Sequence, residues 1–165
     1  MLLNDGQSNP YTPNRPVQLA QQIVVVDGMV GGGKGLLSAI VSSLPRVEMW
    51  VHKPQIEQIC GLYNLGHISL DGAVTLIRSW TDEEIYNQSM GRNVNCRLKD
   101  NSSIFQDARP LRYLWRLFAK GDTTAAERVE KDKPILNIMY HRHILTKDNT
   151  EIIKKLDRVG PVDNR

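Results

Sequence analysis

Residues 23–44 read IVVVDGMVGGGKGLLSAIVSSL, and the order strand, glycine loop, helix that they encode decides the fold. Ile23 to Val26 is a short run of β-branched side chains, suited to a strand buried on both faces. Gly28 to Gly35 reads GMVGGGKG. Beyond it Leu36, Leu37, Ile40, Val41 and Leu44 recur at helical spacing, with Ser38, Ser42 and Ser43 between them. That pattern predicts a helix with the apolar stripe buried. Pro45 closes the helix, since proline cannot continue it.

A glycine loop between a strand and a helix is the context that phosphate binding requires. Without Cβ atoms, successive backbone N–H groups can turn towards one anion. The helix that follows directs the positive end of its dipole to the same point. Gly31, Gly32, Gly33, Gly35 and Leu36 are the expected amide donors, and Lys34 adds a mobile full charge. From Gly28 the spacing fits G-x-x-x-x-G-K, the front of the Walker A pattern. Gly35 then stands where a Ser or Thr hydroxyl would hold Mg²⁺. The plain alternative is a glycine turn with no ligand, which is costly in conformational entropy. A dinucleotide fingerprint fits less well, because its third glycine would fall at Leu36.

At 165 residues the chain is long enough for one domain with a real core. It is 41% apolar and 24% charged, ordinary for a globular protein. A net charge of +3 fits an anionic small molecule and does not demand nucleic acid. Cys60 and Cys96 lack metal-ligand spacing, and free thiols in a reducing cytoplasm are the expectation. No metal site, nucleic-acid partner or membrane contact is expected. No apolar stretch approaches membrane-spanning length, and MLLNDGQSNPYTPNRP lacks the apolar core of a signal peptide.

In chain order, residues 1–22 are polar, carry Pro10, Pro13 and Pro16, and read as a loose arm before a domain over residues 23–160. Val47 to Val51 reads as a second strand, with His52 and Lys53 at its end. Pro54 suits the first turn of a helix that stops near Gly66. Ser69 to Trp80 reads as a helix. Thr81-Asp82-Glu83-Glu84 reads as a capping box that starts another. Residues 91–107 read as loop. Asp107-Ala108-Arg109-Pro110 opens an amphipathic helix with Leu111, Leu114, Trp115 and Phe118 on one face. Arg109, Arg112, Arg116 and Lys120 lie along another, and Gly121 ends it. Thr124 to Glu127 is a second capping box, opening a short helix. Ile135 to Tyr140 reads as a third strand, followed by His141, and Glu151 to Leu156 as a last helix. Trp50, Trp80 and Trp115 are expected in the core.

The expected class is α/β: a three-layer parallel sheet flanked by helices. The simplest account of so thin a sheet is a domain that is C-terminally truncated or part of a longer reading frame. In such a sheet the strand ends line the ligand crevice, so His52 and Lys53 should share a rim with the glycine loop. His52 and His141 are candidate bases, the alternative being surface histidines at strand ends. Arg109 and Arg112 either reach an anion or lie on a solvated helix face.

The loop with Lys34 resembles the P-loop nucleotide-binding superfamily. GMVGGGKGLLSAIVSSLP, followed by VEMWVHKPQ, QDARPLRYLWRLFAKGD and ILNIMYHR, looks like its sulfotransferase-like branch, from about Ile23 to Arg142. That resemblance implies a phosphosulfate nucleotide, 3′-phosphoadenosine 5′-phosphosulfate, held by Gly28, Gly31, Gly32, Gly33, Lys34, Gly35 and Leu36. It implies sulfuryl transfer to a hydroxyl or amine of a small-molecule or carbohydrate acceptor. Lys34 would stabilise the leaving phosphate and His52 would take the acceptor proton. Lys34 occupies the kinase-like position, so a Mg-ATP-dependent small-molecule kinase is the alternative. The family's second motif, an arginine and a serine for the 3′-phosphate, is not found before Arg165. A non-catalytic nucleotide-binding module is the third reading.

Overall fold

The computed structural model describes residues 19–118, 123–140 and 149–157. The elements are β1 (Gln22–Val26), α1 (Lys34–Ser42), β2 (Val51–His52), α2 (Pro54–Asn64), α3 (Leu70–Ser89), α4 (Pro110–Leu117), α5 (Thr123–Asp132), β3 (Ile135–Met139) and α6 (Asn149–Asp157). A 3-10 turn at Ile104–Gln106 interrupts the expected loop before α4. Among the described residues there are thus three strands and six α-helices. The sheet is all parallel, in the order β1-β3-β2. The α/β class is as expected. No helix among the described residues is long and apolar enough to cross a membrane.

Alternation along β3 divides the molecule. Leu136 and Ile138 belong to the main core with Ile56 and Ile59 of α2, Ala73, Val74 and Ile77 of α3, and Ile152 of α6. Asn137, between them in sequence, is fully buried on the opposite face. Its Nδ2 donates to the Ser38 carbonyl and to Ser42 Oγ, both at 3.0 Å. Helix α1 therefore lies over that face.

Local signals account for most element ends. Pro54 sits in the first turn of α2, where its missing N–H costs nothing. The Ser69 hydroxyl accepts the Gly72 amide at 3.1 Å and caps α3. The expected restart of the helix at Thr81 does not occur, and α3 runs unbroken for 20 residues. The capping-box side chains are engaged elsewhere. Thr81 Oγ1 donates to the Arg78 carbonyl, and Asp82 Oδ1 accepts the Leu19 and Ala20 amides at 3.0 Å. Asp82 thereby anchors the backbone just before β1. The rest of the expected arm, residues 1–18, lies outside the described residues, as do Lys120, Gly121 and the Thr124 side chain.

The second strand is shorter than expected. Val47 makes one isolated bridge to Ile135, and the ladder resumes only at Val51. In between, the Met49 amide donates to the Tyr113 hydroxyl and the Trp50 amide to Ser42 Oγ. Side chains have taken the backbone donors that the ladder would use.

Two helices face the opposite way to expectation. In α1 the buried residues are Lys34, Ser38 and Ser42, while Leu36, Leu37 and Ile40, and Leu44 just beyond the helix, are exposed. In α4 the buried residues are Tyr113 and Arg116; of the expected apolar face only Leu114 packs inwards, against Met49, Ile104 and Tyr113, while Leu111, Trp115 (74% exposed) and Phe118 just past the helix face outward. Trp50 is buried and Trp80 packs against the main core, as expected. The cause is polar. Glu48 is only 1% exposed. Arg112 pairs with its Oε1, Arg116 reaches both its oxygens at 2.9 Å, and the Tyr113 hydroxyl donates to it at 3.1 Å. A buried carboxylate is tolerable only when paired and hydrogen-bonded, so the basic stripe of α4 turns inwards. Burial, and behind it the Glu48 charge, raises the Tyr113 phenol far above its ordinary value, so it stays a donor.

Two outcomes test this packing. Ser42→Ala should cost about 1–3 kcal/mol by leaving buried partners unmet, whereas Ile40→Ser should stay within about 0.5 kcal/mol, both read by urea denaturation. Cys60 is buried and its thiol is pushed up to about 11 by burial and then by Glu57, whereas Cys96 is exposed. An alkylating reagent at mildly alkaline pH should therefore label Cys96 in the folded protein and Cys60 only after unfolding, as read by peptide mass spectrometry.

Candidate functional site

Strand β1 delivers the chain into the loop at Val26, which is buried beside Met139 in the parallel register. Asp27 Oδ1 accepts the Gly28 amide at 2.7 Å. A tight turn follows, with the Gly32 amide on the Met29 carbonyl at 3.1 Å. Gly31 (φ 83°) and Gly33 (φ 76°) occupy the left-handed region that side chains avoid. A Cβ added at Gly32 would lie 3.1 Å from the Met29 carbonyl oxygen. The glycines are thus required by the path of the loop.

Gly33 is the N-cap of α1, and no side chain caps that helix. The Leu37 amide bonds the Gly33 carbonyl at 3.0 Å. The amides of Lys34, Gly35 and Leu36 precede the first intrahelical bond and sit at the positive end of the helix. Lys34 is 8% exposed, and its Nζ donates to the Gly28 and Met29 carbonyls at 2.6 Å each. An ammonium has three donors, so one remains beyond these two bonds. The seven expected phosphate-contact positions, Gly28, Gly31, Gly32, Gly33, Lys34, Gly35 and Leu36, share one loop–helix junction, but the Gly32 amide, an expected donor, is taken by the Met29 carbonyl and the Gly28 amide by Asp27, because each N–H makes one bond and the turn uses these two.

His52 is the last residue of β2, and it pairs with the same Met139 that Val26 pairs with. The loop and His52 leave the sheet at one level, two strand spacings or roughly 10 Å apart. His52 Nε2 lies 3.8 Å from Glu57 Oε1 of α2. Lys53 forms an ion pair with Glu84 of α3 at 2.6 Å and lies 5.6 Å from the Trp80 ring. Beside His52 and Lys53 opens a cavity of about 330 Å³, with Glu84, Gln88, Asn95 and Ser102 among its walls.

Other expectations fare differently. Arg109 and Arg112 neither face an anion site nor form a solvated face. Arg109 Nη2 donates to the Ser42, Leu44 and Val47 carbonyls at 3.0–3.2 Å, closing the C-terminus of α1. Arg112 is committed to Glu48. His141 lies outside the described residues. Glu57, Glu84 and Gln88 escaped sequence reading. Glu57 follows His52 by one helical turn past Pro54, a spacing that pointed to it, whereas Glu84 was hidden inside an apparent capping box. Set against protein-family models, curated proteins and solved structures, the chain finds no match.

Proposed function

We propose that this chain is a P-loop group transferase of the sulfotransferase type, with the three-layer P-loop domain that such a function uses. Its loop holds a phosphosulfate nucleotide, 3′-phosphoadenosine 5′-phosphosulfate, and the sulfuryl group passes to a hydroxyl or amine of a small acceptor. The observation that carries this reading is the buried Lys34 ammonium, held against two loop carbonyls at the uncapped start of α1. A buried charge whose hydrogen bonds among the described residues go to neutral carbonyls is poised for an anion.

The residues present fit such a ligand. Gly31 and Gly33 leave the anion side of the loop clear of Cβ atoms, and the open amides of α1 supply donors without a metal. Bound there, such a nucleotide supplies a sulfuryl group joined to a phosphate that departs with the bonding electrons. Lys34 and the amides of Gly33, Gly35 and Leu36 stabilise the negative charge that gathers at the loop. His52 is the base that accepts the acceptor proton, and the Glu57 carboxylate beside it favours the imidazolium so formed. Gly35 supports this reading over phosphoryl transfer, because it offers no hydroxyl to a magnesium ion. The Gly28-to-Lys34 spacing keeps Mg-ATP as the competing ligand.

Calorimetric titration of adenosine 3′,5′-bisphosphate and of ATP, each in EDTA and in Mg²⁺, separates the readings. The expected result is bisphosphate binding that EDTA leaves intact and that Lys34→Ala weakens about 10- to 100-fold, the worth of a charge-assisted hydrogen bond. Binding of ATP alone, and only with Mg²⁺, would replace this reading with a kinase. Binding of neither nucleotide would remove it.

A further inference from the structure

The outward face of α1 is apolar and carries no charge. Met29 and Val30 in the loop, Leu36, Leu37 and Ile40 in the helix, and Leu44 just beyond it are each between 51% and 86% exposed. The Asn137 bonds that hold the Ser38 and Ser42 side of the helix inwards turn this side out. No charged residue occurs from Gly35 to Pro45. A surface helix ordinarily keeps its charged side towards water. Here the one charge of α1, Lys34, is buried, and the apolar side is the one shown.

The size of the face is that of an interface. Its six large side chains expose roughly 500–600 Å² together, on the order of 100 Å² each. The largest apolar patch on a typical monomer is about 300–600 Å². Gly35, Ala39 and Ser43 are exposed beside them. With these the face approaches the roughly 800 Å² that each partner gives to a standard interface. The three small residues recur at every fourth position, alongside Leu36, Ile40 and Leu44 at the same spacing. A second helix can come close over the small row and pack its flank on the apolar one.

Charge and supply both single out a second copy of this chain as the occupant. In a two-fold contact a patch meets itself, so any charge near its centre meets its like. A face without charge escapes that repulsion. A partner recognised by charge would need a complement here, and this face offers none. The chain's own residues outside the described ones are poor covers. Residues 1–18 offer Met1, Leu2, Leu3, Tyr11 and Val17 among three prolines. Residues 141–148 offer Ile144 and Leu145 among basic and acidic neighbours. The outward face of α4, with Leu111, Trp115 and Phe118, suits self-pairing less, because Arg112 flanks it with a side chain that is 23% exposed.

We infer that two copies of this chain pair through the outward face of α1, about a two-fold axis. The inference stands on the packing of α1 and is independent of the transferase reading above. Size exclusion with light scattering, and sedimentation velocity, test it on the full chain at high micromolar concentration. The expected mass is that of two chains. Ile40→Asp should weaken association at least about 30-fold, the loss of a hot spot, with folding checked by near-UV circular dichroism. Ala39→Glu, exposed on the same side, keeps the test open should Ile40→Asp not fold, and should weaken association at least about tenfold. Trp115→Ser, on the face of α4, should leave association within about twofold. Where dilution keeps the copies apart, Ile40→Ser should unfold in urea as the unaltered chain does. The mass of one chain at high micromolar concentration, a larger assembly, or a dimer indifferent to both α1 variants would overturn the inference. So would a dimer lost in Trp115→Ser alone.

Discussion

The hydroxyl of Ser42 holds three parts of the molecule at one point. It donates to the Glu48 carbonyl at 3.1 Å and accepts from the Trp50 amide and from Asn137 Nδ2 at 3.0 Å each. Helix α1, the segment before β2 and strand β3 therefore meet on a single buried atom. Six residues along from Ser42, the Glu48 carboxylate gathers Arg112, Tyr113 and Arg116 of α4. Burial works against the Arg116 charge, yet the Glu48 carboxylate outweighs it and holds the guanidinium above its ordinary value. Loss of one partner from so buried a pair would be expected to cost about 3–5 kcal/mol. This face of the sheet is joined by polar bonds, and the oily core lies on the other face.

That arrangement places the candidate site. Ser38, Ser42 and the Arg109 clamp fix the middle and the C-terminal end of α1. The N-terminal end of the helix is thereby aimed at the loop that β1 delivers. Asp82 holds the backbone ahead of β1, so the strand entering the loop is tethered at both ends. The parallel register then brings His52 to the level of the loop. Each link is a hydrogen bond between residues far apart in the chain.

Those distances explain what could be read from the sequence. The strand over Ile23–Val26, the glycine loop, the proline at the start of α2 and the strand from Ile135 are local patterns, and each is where its pattern put it. Hydrophobic periodicity announced stripes on α1 and α4, but a stripe does not say which side is covered. Asn137 decides that for α1, and it is 95 residues away from Ser42. Glu48 decides it for α4 across 68 residues from Arg116. The apparent capping box at Thr81 failed for the same reason: Asp82 is engaged across 62 residues by the Ala20 amide. The glycine loop between β1 and α1 was legible because one short motif writes all of it. The cavity was not, since its walls come from β2 and the segment before it, α3, α4 and the loop ahead of α4.

The central claim is that the amides opening α1, with Lys34 beside them, form one anion seat. Backbone amide shifts followed by ¹H–¹⁵N NMR test it most directly, as adenosine 3′,5′-bisphosphate is added in EDTA. The account predicts that Gly31, Gly32, Gly33, Lys34, Gly35 and Leu36 move first and saturate together. Unmoved amides there, with the saturating shifts elsewhere in the chain, would contradict it.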